Sequence, residues 1–72
     1  MQTITVCITQ DENGYVSHCL DYDIASQGQT SDEAIENIKE AVSLFLEVAS
    51  SAEIQSRLEK RGRIEQLSIG SV

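Results

Sequence analysis

Gly14-Tyr15-Val16-Ser17-His18-Cys19, followed by Gly28-Gln29-Thr30-Ser31-Asp32-Glu33-Ala34, is the stretch that decides how this chain folds. A strand opens out of a turn, and a second short strand then runs through Gly28 into a capped amphipathic helix. Thr30 and Glu33 have the spacing of a capping box. The hydroxyl accepts from the amide three residues on, and the carboxylate reaches back to the amide of the cap. Asp32 and Glu33 also stand where the positive end of the helix dipole favours negative charge.

Upstream, Thr3-Ile4-Thr5-Val6-Cys7-Ile8-Thr9 alternates strictly and is rich in β-branched residues, which predicts a half-buried strand over 3–9. Ile4, Val6 and Ile8 share one face, and Thr3, Thr5, Cys7 and Thr9 the other. Residues 10–14 form the turn, with Asn13-Gly14 suited to the left-handed backbone of a tight hairpin. Residues 15–19 return, 20–23 are a polar-aromatic connection, and 24–27 are a short third strand. The product is a β-meander.

Downstream, no Gly or Pro interrupts 31–49, so the helix spans that range. At 100° per residue, Ala34, Ile35, Ile38, Ala41, Val42, Phe45, Leu46, Val48 and Ala49 gather on one side, a sector of roughly 160°. Leu44 falls in the polar arc. Either the C-terminal segment folds back over the excess width, or another molecule covers it. Residues 52–60 are a second short helix with Ile54 and Leu58 as its (i, i+4) pair, ended by Gly62. The alternation over 63–69 predicts a final strand. The expected class is α+β, a single domain over 1–72 with an antiparallel β-β-β-α-β sheet and one long helix packed on it.

Seventy-two residues bury only about 60% of their unfolded surface, so self-association or a partner is attractive as extra burial. The net charge is −7, unevenly spread. Residues 1–50 hold nine acids against Lys39, a net of −8, whereas 51–72 hold three acids against four bases, a net of +1. An acidic body repels nucleic acid and steers basic partners toward itself. No apolar run approaches the ~20 residues of a membrane span. Cys7 and Cys19, without a leading secretory pattern, point to reduced thiols in the cytoplasm.

Catalytic constellations are weak. Cys7 and the lone His18 share a face if the hairpin loop spans 11–14, but a thiol–imidazole dyad also needs an orienting group and an anion hole. Zinc lacks paired ligand spacing. The acids Asp11, Glu12, Asp21 and Asp23 sit at turns, where short carboxylates serve local backbone bonds, rather than converging on a metal. Arg57, Lys60, Arg61 and Arg63 lack aromatic interleaving and are the solvated end of a short helix, or pair with the acidic body of a second copy. The outer sheet face, carrying Thr3, Thr5, Cys7, Thr9, Val16 and His18, is small and semi-polar. It either stays wet or docks a partner, and an edge strand beside it offers a further place for pairing.

From Gly14 to Glu47 the chain resembles the short HicB-like antitoxins. The residues that carry the likeness are Gly14-Tyr15-Val16, Asp21-Tyr22-Asp23, Ser26-Gln27-Gly28-Gln29-Thr30, Glu33-Ala34 and Ile38-Lys39-Glu40-Ala41. The resemblance implies a partial ribonuclease-H-like fold without the nuclease carboxylates. It also implies steric neutralisation of a HicA-type toxin, a small basic messenger-RNA-cleaving ribonuclease that works with a histidine. Longer members carry a C-terminal DNA-binding module, and the 22 residues after Ser50 leave too little chain for one.

The expected protein is therefore a cytoplasmic binding protein, not an enzyme, with no cofactor, metal, direct nucleic-acid contact or membrane attachment. It forms a homodimer or higher homo-oligomer, and the alternative is an orphan homo-oligomeric adaptor without a toxin. Asp11, Glu12, Val16, His18, Asp21, Tyr22, Asp23 and Leu44 are the expected partner contacts.

Overall fold

In the computed structural model, residues 3–62 and 65–70 are described. Strands β1 (Val6–Asp11), β2 (Gly14–Cys19) and β3 (Ile24–Gly28) are followed by helices α1 (Ser31–Val48) and α2 (Ser51–Lys60). The strands form one antiparallel sheet in the order β1-β2-β3. The meander is as the alternation predicts, and the molecule is a small α+β domain.

The final strand is the correction. Residues 65–70 adopt neither strand nor helix, while residues 63 and 64 lie outside the described set. Alternation there gives a pattern without a neighbouring strand to hydrogen-bond, and a strand needs that neighbour. The described order is thus β-β-β-α-α.

The hairpin is tighter than its sequence suggests, because Asp11 pairs directly with Gly14 and only Glu12 and Asn13 turn the chain. Asp11 Oδ1 accepts from Asn13 N at 2.8 Å, a local Asx turn that fixes the corner. Gly14, with φ +138°, carries the unusual backbone angle, and Asn13 does not. Strand β1 starts later than expected, yet its lead-in is tied down. Leu20 N donates to Thr5 O at 2.9 Å, and Thr5 N donates to Asp21 Oδ2 at 2.7 Å.

Thr30 caps α1 by accepting from Glu33 N at 3.0 Å. The Glu33 carboxylate reaches back one residue further than a capping box requires and accepts from Gln29 N at 3.1 Å. Between strand and cap lies Gly28. A Cβ built there would stand 2.6 Å from Ala34 N and 2.9 Å from Glu33 Cβ, so the first turn of the helix rests directly on the strand backbone. Buried Ala34 and Ser17 complete this close contact, and Ser17 Oγ donates to Ala34 O at 2.9 Å. Ser17→Ala is expected to lower unfolding free energy by about 1 kcal/mol, the net worth of a typical internal hydrogen bond, as read by urea denaturation.

The core is Cys19, Tyr22, Ile38 and Val42, with Ile4, Val6, Ile24, Phe45, Leu46, Ile54 and Leu58 packed around it. Helix α1 at 18 residues is ~27 Å long, whereas strands of five or six residues reach only ~20 Å. Phe45 and Leu46 of its last turn still pack against the core, whereas Val48, expected on the apolar side, is 81% exposed. The excess width nearer the sheet is covered within the chain, because α2 lays Ile54 and Leu58 against the core beside Phe45 and Leu46. Helix α2 begins at a cap the reading of 52–60 missed: Ser50 Oγ accepts from Glu53 N at 3.1 Å. Gly62 follows the helix but has no left-handed φ, and Arg61, in extended conformation, makes the exit.

Candidate functional site

Strict alternation sorts the sheet into two faces. Val6, Cys19 and Ile24 form one cross-strand row toward the helix, and Ile8, Ser17 and Ser26 the next. The opposite face carries the rows Cys7–His18–Ala25 and Thr9–Val16–Gln27. Cys7, Thr9, Ala25 and Gln27 are exposed, while Val16 and His18, on the central strand, are half-buried between their neighbours. Helix α1 covers only the inner face. This outer face is the candidate site.

Acidic turns stand at both ends of it. Asp11 and Glu12 are exposed at the β1–β2 hairpin. At the other end, residues 20–23 cross from β2 to β3, and Asp23 adopts a left-handed φ of +56°, a conformation that aspartate tolerates better than most residues. That backbone turn brings its carboxylate to the imidazole on the outer face. His18 Nε2 lies 2.7 Å from Asp23 Oδ1, a bond the ring nitrogen donates when the carboxylate is ionised.

The orienting carboxylate that the sequence left unplaced for His18 is therefore Asp23. Cys7 sits directly across from His18, as the register predicts, but no hydrogen bond joins the thiol to the imidazole among the described residues. Cys7 is exposed and Cys19 buried on the other face, and both are free thiols. Among the described residues, no three His, Cys, Asp or Glu side chains stand together to hold a metal ion.

Four of the expected contacts, Asp11, Glu12, Val16 and His18, lie on the outer face or its hairpin rim, and Asp23 joins them at the far rim. Leu44 is 54% exposed on the polar arc of α1, away from that face. Tyr22 is corrected. Its side chain is only 6% exposed and belongs to the core, with its ring 5.5 Å from that of Phe45. Asp21 is half-buried, and its two oxygens are taken by Thr5 N and by Arg61 Nη1, the latter at 2.7 Å. It holds the chain together at the start of β1.

No protein-family model, curated protein or solved structure matches this chain.

Helix α2 supplies the residues that the sequence did not place. Arg57 Nη1 donates to Tyr22 O at 2.7 Å, and its guanidinium stacks 4.6 Å from the Phe45 ring centre. With Arg61 on Asp21, these contacts dock the helix on the 20–23 connection. Two of the four bases expected to be solvated are thus structural ties, formed across 35 and 40 residues of sequence where local spacing carries no signal. The docked end of α2 leaves a cavity of about 460 Å³ lined by His18, Leu20, Asp23, Arg57, Lys60 and Arg61, together with Gly62. Of its basic residues Arg61 pairs with Asp21 and Arg57 with Glu53, and Asp23 shares a hydrogen bond with His18. Arg57→Met is expected to cost about 1–2 kcal/mol through loss of the carbonyl bond and the cation–π contact. Limited proteolysis should then cut first within 50–62.

No helix among the described residues is long and apolar enough to cross a membrane.

Proposed function

We propose that this chain is a HicB-like antitoxin that works by binding: it covers a small basic ribonuclease of the HicA type and masks it sterically. The observation that carries this reading is the outer sheet face, left open by α1 and bordered at both ends by exposed carboxylates of Asp11, Glu12 and Asp23. A semi-polar face left uncovered admits a partner's surface, and the acidic hairpin end at Asp11 and Glu12 complements a protein built to hold RNA phosphates. The net of −8 in residues 1–50 adds long-range steering toward such a partner. The chain works in the cytoplasm, where its two thiols stay reduced.

The test is co-expression with the products of the adjacent reading frames, one of which should be a small basic protein. The pair should co-purify, and the ribonuclease should be inactive in the complex. Reversing Asp11, Glu12 and Asp23 to Lys should weaken capture at least about tenfold at low salt, chiefly by slowing association. If the ribonuclease cuts RNA equally well with this chain bound, the masking role is wrong. A chain that self-associates yet captures no basic neighbour is the adaptor instead.

A further inference from the structure

The two edges of the sheet are not alike. The bond from Leu20 N to Thr5 O sets the phase of the β1–β2 ladder, so Cys7, Thr9 and Asp11 turn their backbone groups toward β2. Val6, Ile8 and Gln10 turn theirs outward. Carrying the alternation across β2 leaves Ala25 and Gln27 outward on β3. There, Asn37 Nδ2 donates to the Gln27 carbonyl at 2.7 Å, so a side chain of α1 stands over that end of the edge. Among the described residues no hydrogen bond meets the outward groups of Val6, Ile8 and Gln10. The β1 edge is open.

Beside this open edge lies an apolar groove of about 490 Å³ between the sheet and α1, lined by Ile4, Val42 and Leu46 with Lys39 and Ser43. Elsewhere in the chain, 65–70 form no regular structure, and Leu67 and Ile69 are 82% and 80% exposed. Two residues apart, they fall on one face of an extended chain, with Gln66 and Ser68 on the other.

We propose that residues 65–70 of a second copy add to the open edge of β1, each copy lending its segment to the other in a reciprocal dimer. The backbone of the incoming segment satisfies the outward groups of Val6, Ile8 and Gln10. Leu67 and Ile69 fill the groove against Ile4, Val42 and Leu46. Gln66 and Ser68 continue the semi-polar outer face of Thr5, Cys7 and Thr9. Within one chain Leu67 and Ile69 stay in water, so the groove takes them from a neighbour.

Sedimentation of the full chain at high micromolar concentration should give twice the chain mass of 7.9 kDa. The double variant Leu67→Asp/Ile69→Asp changes only exposed side chains of the protomer, so its circular dichroism should be unchanged while its mass falls twofold. Amide exchange at Val6, Ile8 and Gln10 should be slow in the dimer and fast after dilution to monomer. A wild-type chain that stays monomeric overturns the proposal, as does a double variant that stays dimeric. Protection of those amides in a species that sediments as a monomer also overturns it, because the segment would then close on its own chain.

Discussion

Gly28→Ala is expected to leave this protein with a much lowered urea midpoint. The new methyl would stand 2.6 Å from Ala34 N and 2.9 Å from Glu33 atoms, closer than carbon approaches these groups. The obstruction includes main chain held by the Thr30 cap, so a rotamer change cannot relieve it. The first turn of α1 must lift from β3, which also separates Ser17 Oγ from Ala34 O. Overpacking of this kind costs about 3 kcal/mol or more. A domain of this length has only about 4–11 kcal/mol in total. Chemical denaturation followed by far-ultraviolet circular dichroism reads the result directly. An alanine variant within about 0.5 kcal/mol of wild type would mean that the helix does not sit so close to the strand.

Tyr22→Ala should be nearly as damaging, at about 3–4 kcal/mol, because it removes an almost fully buried ring from the core and its contact with Phe45. The loss spreads to α2. Its Ile54 and Leu58 pack against the same cluster, and Arg57 is anchored on the Tyr22 carbonyl. Protease sensitivity within 50–62 should therefore rise together with the fall in global stability. Tyr22→Phe keeps the ring and should be within about 1 kcal/mol of wild type. This pair of variants separates a packing role from a partner-binding one. A toxin-binding defect in Tyr22→Phe with stability intact would restore Tyr22 to the interface.

Local rules reach far into this fold. Thr30 and Glu33 announce the helix start, alternation over 3–9 and 15–19 announces the hairpin, and Cys7 faces His18 as the register requires. Ile54 and Leu58 do form the apolar pair of the second helix. What the sequence leaves open depends on contacts between distant residues. Gly28 reads as a step from strand to helix until the helix is seen lying on it. The connection 20–23 reads as an exposed acidic loop, yet Tyr22 turns inward and Asp21 becomes a receptor for Arg61. Residues 65–70 carry a strand's side-chain alternation, but hydrogen-bonded pairing is settled by what lies alongside. For the candidate site, the alternation in β1 and β2 assigns Val16 and His18 to the outer face. The left-handed turn that brings Asp23 to the imidazole has no marker in the sequence.

The amide of Asn37 on the Gln27 carbonyl has a consequence for how large any assembly can become. A sheet with two receptive sides can stack copy upon copy without end, the geometry of a filament. With the Asn37 side chain standing over the Gln27 carbonyl, the β3 side is obstructed and β1 is the side left for sheet growth, which the proposed pairing consumes. Growth stops at a closed particle. Asn37→Leu would free the second side, and turbidity or light scattering should then rise with time at concentrations where the parent chain stays clear.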